Sequence, residues 1–525
     1  MAEQQHRRLV VNVLSNYGTL GLYNATHFVL VGYIMRRLGK DALGVITLAL
    51  SLTVIMELLG RAVSYSLTKH VSAEMVRKED NQANAFINAS LAWFLLCAGA
   101  GGLACGFVAM HIERLCNIPP ALVRDARWAM WLIALRVLVC FPFNTFQGIL
   151  FAYQRYDLAN LAKSATVILH FVAVIAYFEW VSAGVVSFVM ITTAALVVER
   201  LLWLWFSRTI AVDMRIDFSL ISRRAMIELF CFGGFVMVIY VANLLGYEAT
   251  KWVIGLELTV ADVGGYGLIA ALAVAGGVLV RSISTVLMPV ASKYYAMQAH
   301  ETNSRLTLLA TKYAMIVSGA LFLMPLLLLK PLLTLWVGDE YAPGYLDMLA
   351  RAGIILFLGE WSVTTVVCIL QILSGIGRVR FPALVTLAWA LSSLMGVWAY
   401  LHWWKGSLLG AVVVITTTRC LSAVLYMVHG LKVLNIRPGA MFAGSILRPT
   451  AAGLACCAAG YGLVCALNVY RPLSFLLATA VLTCMYGALV WAFVLSGNER
   501  TRTMNFIGSA VNRRNRNVHA NTVEP

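Results

Sequence analysis

The sequence predicts an all-α polytopic membrane protein of about fourteen transmembrane helices, arranged as two pseudo-symmetric six-helix lobes plus two C-terminal helices. Three observations carry that expectation. Of 525 residues, 61% are hydrophobic and only 12% charged. Mean hydropathy is +0.81, which no soluble core requires. Apolar runs of the roughly 20 residues that cross a bilayer recur along the whole chain.

The first run, 11–34, follows a short basic segment with no small-residue cleavage site, so it reads as an uncleaved helix and not a signal peptide. The second is 42–66. The third, 86–110, carries Gly99, Gly102 and Gly106, a pattern that permits close helix approach. The fourth, 127–151, contains Arg136 and can kink at Pro142. Runs 161–180, 182–206, 228–247 and 263–288 follow, then 307–329 with Pro325, and then 349–372, 383–401 and 407–428. The last two are 449–467 and 473–495. With both termini in the cytoplasm, the inner segments hold more than twice the Lys and Arg of the outer ones.

The net charge of +16 is therefore a topological signal, complementary to anionic membrane lipids and not to nucleic acid. Of the eleven cysteines nearly all fall inside membrane runs, with Cys116 in an outer loop. No spacing points to a metal or a disulfide framework.

The chain also repeats itself. One shift lays "LGVITLAL" on "YGLIAALA", "KHVSAEMVRKEDNQAN" on "SKYYAMQAHETNSRLT", and Arg155 on Arg378. Each copy holds six helices, so the copies share an orientation. The predicted divisions are an N-terminal lobe 1–215, a C-terminal lobe 216–435, two added helices 436–497 and a basic cytoplasmic tail 498–525.

Seven cations fall inside crossings: Arg61, Arg136, Arg200, Arg281, Lys312, Arg351 and Arg419. Arg200, Lys312 and Arg351 lie near helix ends and are expected to snorkel. Arg61 and Arg281 lie deeper, and Arg136 and Arg419 near mid-membrane, where insertion costs about 2.5–3.5 kcal/mol each. Helical spacing aligns Thr53, Glu57, Arg61, Ser64 and Thr68 on one face, and Thr416, Arg419, Ser422 and Tyr426 on another. Arg136 shares a side with Cys140, Phe143, Asn144 and Gln147, while Asn12, Asn16, Tyr23 and His27 share a face of the first helix. Two readings stand for these cations. Glu57, one turn before Arg61, is placed to neutralise it as a strut, and Glu360 to pair with Arg136 or Arg419. Alternatively the arginines line a wet cavity between the lobes.

Several segments resemble a known family. "RRLGKDALGVITLALSLTVIMELLGRAVSYSLTKHVSAEM", "FQGILFAYQRYDLANLAKSATVI", "LMPVASKYYAMQ", "PLLTLWVGDEYAPGYLDML" and "ILSGIGRVRFPALV" look like successive pieces of the polysaccharide-biosynthesis (Wzx-type) oligosaccharide flippases. Their superfamily includes the MATE exporters and the lipid II flippases. The resemblance implies an inverted V of two lobes in the bacterial inner membrane. By alternating access it would move a polyprenyl-pyrophosphate-linked oligosaccharide to the outer leaflet, for lipopolysaccharide (O-antigen), capsule or exopolysaccharide assembly. It also implies a monomer working alongside polymerase and chain-length machinery.

On that reading Arg136, Arg419, Arg281 and Arg61 form a cationic substrate cavity, because guanidinium offers phosphate a bidentate contact at constant charge. Asn12, Asn16, Tyr23, Asn144, Gln147 and Tyr426 supply its sugar-compatible lining. Glu57 and Glu360 are the carboxylates available for proton or sodium coupling, with no cofactor and no metal. Two rivals remain. A MATE-like cation-coupled exporter of small molecules would work through those same carboxylates. A membrane glycosyltransferase or polymerase would need a larger outer loop than 111–126 or 330–348, so a transporter is expected and not an enzyme.

Overall fold

The computed structural model describes residues 2–77, 79–211, 213–501 and 504; the side chains of 2–14, 59, 62, 76, 230–237, 239, 240, 283 and 339 lie outside that description. The side chain of Asn12, most of the predicted seventh crossing's side chains and almost all of the predicted tail 498–525 are therefore outside the described residues.

The chain is helical, with no strand among the described residues. In order come α1 (Ala2–Arg77), α2 (Asp80–Leu115), α3 (Pro120–Ala152), α4 (Tyr156–Trp180) and α5 (Val185–Ile210). α6 (Arg223–Asn243) runs through a π turn, Leu244–Ala249, into α7 (Thr250–Glu257). The rest are α8 (Val260–Ala296), α9 (His300–Leu323), α10 (Pro325–Val337), α11 (Pro343–Gly375), α12 (Arg380–Trp404), α13 (Leu408–Val433), α14 (Ala440–Ala466) and α15 (Pro472–Val494). Among the described residues twelve helices are long and apolar enough to cross a membrane. α1 contains two of the predicted crossings.

The outer segment predicted between those two crossings is not a loop. Only Gly39 leaves the helix, at φ 82° and ψ 174°, a conformation that side-chain-bearing residues rarely adopt. Pro142, lacking an N–H, sits in a 3-10 turn (Phe141–Phe143) within α3. Pro325 opens α10 just after a π turn, Gly319–Leu323. The glycine pattern on α2 is partly corrected. A Cβ on Gly102 would come 2.7 Å from Leu138 and one on Gly106 3.2 Å from Trp131, so both give α3 room, whereas Gly99 faces open space. Gly101, not Gly99, is the third close approach, against Met56 and Val137.

The chain clusters into two compact units. The first comprises Met1–Ala275, Trp336–Leu356 and Val379–Ser422. It joins parts of both sequence halves at the helix ends predicted to face outward. There a Cβ on Gly44 would lie 1.8 Å from the Val260 carbonyl oxygen, so only glycine allows the crossing. Beside it, Trp336 Nε1 donates to the Phe28 carbonyl at 2.7 Å and its ring stacks on Phe28, 4.4 Å between centroids. Trp252 Nε1 donates to Ser51 Oγ at 2.8 Å, and Asn117 Nδ2 donates to the Leu256 and Leu258 carbonyls at 3.1 and 2.7 Å.

The segment after α5 is pinned to α2 by two asparagines. Arg215 N donates to Asn84 Oδ1 (2.8 Å), Asn88 Nδ2 donates to the Arg215 carbonyl (2.8 Å), and Asp217 N donates to Asn88 Oδ1 (2.9 Å).

The second unit comprises Gly276–Leu335, Phe357–Arg378 and Ala423–Pro525. Its core packs α14 and α15 on α9 and α10 through Met324, Leu328, Cys456, Leu482 and Tyr486. Tyr486 Oη donates to the Ile316 carbonyl at 2.8 Å, in space that a Cβ on Gly319 would occupy.

Candidate functional site

One group of charged side chains in the first unit lies on α1, α3, α4 and α5. Arg136 is 2% exposed. Its Nε donates to Thr193 Oγ1 at 3.0 Å, Nη1 to Thr53 Oγ1 at 3.1 Å and Nη2 to the Val189 carbonyl at 3.4 Å. Thr53 faces it because it shares the face of α1 that carries Glu57 and Arg61. Among the described residues no carboxylate forms an ion pair with Arg136, so neutral oxygens solvate the cation without cancelling its charge. None of its hydrogen bonds goes to Asn144, which is buried, or Gln147, which is half-buried.

The expected Glu57–Arg61 strut is replaced by another pair. Glu57 Oε1 lies 3.5 Å from Arg200 Nη2, and Glu199 Oε1 lies 3.5 Å from Arg200 Nη1. Arg200 does not snorkel as predicted: it is buried, with its guanidinium 4.0 Å above the Trp203 ring. Its Nε and Nη1 have no hydrogen-bond partner, so the pairings are loose. Glu199 also accepts from Thr166 Oγ1 at 3.3 Å.

Arg61 is exposed and has no ion pair among the described residues. Tyr23, 42% exposed, stacks on His27 with centroids 5.8 Å apart and carries Lys163 Nζ at 5.2 Å from its ring. It lies within electrostatic reach of Glu57, Glu199 and Arg61. Asn16 is exposed and accepts from Asn160 Nδ2 at 2.5 Å, while Asn160 also donates to Ser15 Oγ at 3.0 Å. Four cations here, Arg61, Arg136, Lys163 and Arg200, stand against two carboxylates, Glu57 and Glu199.

Arg419, also in the first unit, is buried in an aromatic cage. Its guanidinium lies 4.1 Å from the Trp389 centroid and 5.4 Å from Tyr247, and Nη2 donates to Tyr247 Oη at 2.6 Å. In the second unit Glu360 pairs with Arg281, Oε2 to Nη1 at 3.6 Å, instead of with Arg136 or Arg419 as expected. Gly277 makes room for the pair, since a Cβ there would sit 3.0 Å from Arg281 Nη2 and 3.1 Å from Glu360 Oε2. Tyr426 is buried in the same unit.

Sequence reasoning missed Glu199, Lys163, Trp203, Tyr247 and Trp389. Glu199 had a signal: "VVERLLW" sets an acid beside Arg200 inside an apolar run. The three aromatics had none, since a ring in a membrane helix looks the same whether it faces lipid or a cation. Among the described residues no group of three or more His, Cys, Asp or Glu side chains could hold a metal ion.

Residues 9–295 match the family described as "Polysaccharide biosynthesis protein". A curated relative, the uncharacterized membrane protein EpsK of Bacillus subtilis (strain 168), is 22% identical over 314 residues, 59% of this chain and 61% of that protein. The match thus spans less than two thirds of the relative. Among solved structures, the lipid II flippase MurJ in an inward closed conformation superposes with a TM-score of 0.71 at 12% identity, over 92% of this chain and 99% of that one. An inward-facing multidrug resistance MATE family transporter of the MOP superfamily gives 0.69 at 16% identity, over 79% and 94%. A MOP superfamily transporter from Pyrococcus furiosus, described by the reverse polarity of its binding pocket, gives 0.57 at 17% identity, over 82% and 95%. At these identities the likeness is one of fold, and with the family match covering more than half its length, the chain belongs to the polysaccharide biosynthesis protein family.

Proposed function

We propose that this chain is a flippase that moves a lipid-pyrophosphate-linked oligosaccharide from the cytoplasmic to the outer leaflet of the bacterial inner membrane by alternating access. The observation that carries the reading is the surplus of cations over carboxylates on α1, α3, α4 and α5 of the first unit, with Arg61 exposed on α1 and Lys163 Nζ 5.2 Å from the Tyr23 ring. A pyrophosphate crossing hydrocarbon needs that positive charge, and arginine supplies it at any physiological pH. The tyrosine face and the amides of Asn16 and Asn160 suit sugar hydroxyls. Arg136 and Arg419 add buried positive charge to the first unit, and Arg281 and Tyr426 are the counterparts assigned to the second unit.

A cation exporter is the weaker reading, because Glu57, Glu199 and Glu360 each already face an arginine. Proton or sodium coupling, if the cycle uses it, falls on Glu57 and Glu199, whose shared Arg200 keeps unused donors. Both termini are assigned to the cytoplasm by the distribution of Lys and Arg.

The test is complementation of a deletion strain. Arg61→Ala protein should reach the membrane at wild-type level while the lipid-linked repeat accumulates and surface glycan disappears. Arg61→Lys should restore part of the export, because the charge remains and the fork is lost. Normal surface glycan with Arg61→Ala overturns the cationic-site reading. A deletion strain that accumulates no lipid-linked repeat overturns the substrate.

A further inference from the structure

The end of α2 and the start of α3 enclose a second feature, independent of what the protein carries. It is a cleft of about 720 Å³ lined by Glu113, Arg124, Arg127, Trp128 and Trp131 together with Pro120 and Val123. Arg127 Nη2 donates across it to Glu113 Oε2 at 3.1 Å. Arg124 lies one turn nearer the start of α3, is exposed, and has no ion pair among the described residues. The lining therefore carries one positive charge in excess.

Below the arginines the same stripe of α3 turns aromatic and then aliphatic. Trp128 and Trp131 are 55% and 43% exposed, and Leu135 and Leu138 continue the stripe at helical spacing, also exposed. Trp131 lies against the bare backbone of Gly106, where a Cβ would come 3.2 Å from its ring. From Arg124 to Leu138 the helix rises about 21 Å. Over that length the chemistry passes from cation to amphipathic ring to hydrocarbon, the order of phosphate, glycerol ester and acyl chain in a glycerophospholipid.

We infer that this cleft binds one anionic glycerophospholipid of the surrounding leaflet, its phosphate between Arg124 and Arg127 and one acyl chain along Trp131, Leu135 and Leu138. One headgroup charge cancels the one unpaired cation. Glu113 already accepts from Arg127, which weakens it as a partner for the ammonium of a zwitterionic headgroup. The tryptophans and leucines of this stripe are exposed along the outer side of α3, which favours a bulk phospholipid over the isoprenoid carrier of a transported glycan.

The experiment uses the full-length protein in detergent, probed with phosphatidylglycerol, phosphatidylcholine and undecaprenyl phosphate by native mass spectrometry and by lipid-dependent thermal unfolding. Wild type should retain one phosphatidylglycerol in preference to phosphatidylcholine. Arg124→Gln should weaken that binding about fivefold, Arg124→Lys should keep most of it, and Arg471→Gln, a cation removed elsewhere, should change nothing. An unaltered melting temperature of lipid-free Arg124→Gln shows that the fold is intact. Equal retention of the two phospholipids by wild type, or an Arg124→Gln variant that binds like wild type, overturns the site. Displacement of phosphatidylglycerol by stoichiometric undecaprenyl phosphate overturns the choice of ligand.

Discussion

The proposed alternating-access cycle requires the helices joined at the predicted outer end of the first unit to separate, and one substitution can forbid it. A Cβ built on Gly255 of α7 lies 3.2 Å from Sγ of the native Cys116. A disulfide, with its S–S bond of about 2.04 Å, sets roughly 3.0 Å between one Cβ and the far sulfur. Gly255→Cys therefore brings a thiol to bonding distance with little movement. The other atoms nearest that Cβ, Val263 Cγ2 at 3.3 Å and Leu48 Cδ1 at 3.5 Å, are methyl ends that can give. Once formed, the bond confines the two Cα atoms to about 4.4–6.8 Å. No opening wide enough for a sugar is then available between these elements. With a protease site placed in 213–222, oxidised Gly255→Cys should stay in one piece on a non-reducing gel after cleavage and separate with reductant, and Cys116→Ser should abolish the link. Export should stop on oxidation and return on reduction. Absence of a cross-link refutes the closed packing of α7 on the α2–α3 connection. Full export by cross-linked protein refutes the requirement that this end open.

Three further outcomes follow from the buried charges. Arg136→Met removes a cation that hydroxyls solvate but no carboxylate neutralises, so stability should hold or rise by about 1 kcal/mol while export fails; a clear drop in melting temperature would make Arg136 a strut. Arg200→Ala strands Glu57 and Glu199 and should cost roughly 3–5 kcal/mol, recovered when both are also made Gln; a melting temperature like wild type for Arg200→Ala alone contradicts the pairing. Gly277→Ala drives a methyl between Arg281 and Glu360 and should cost about 1–3 kcal/mol, whereas an unchanged melting temperature would mean that the pair does not occupy that space.

Much of the fold was legible because a bilayer imposes a one-dimensional rule. Length and apolarity alone mark a crossing, and the backbone must satisfy its own hydrogen bonds there. The second arm of α1, α2 and α3 accordingly fall on predicted runs, and Arg136 could be recognised as costly from its depth. Partner choice was not legible. Glu57 lies one turn from Arg61 along its own helix, yet it reaches Arg200 on α5 because the packing of α5 on α1 brings that guanidinium closer. Glu360 meets Arg281 for the same reason, with Gly277 leaving the room.

The sequence by itself determined that this is a many-helix membrane chain of a recognisable family with cations it can ill afford. Only the tertiary structure decided which of those cations are caged by rings, which are loosely paired, and which, like Arg61, remain exposed. Hydropathy and charge are summed along a chain, whereas desolvation and pairing depend on distances of a few ångströms between segments that can lie more than a hundred residues apart.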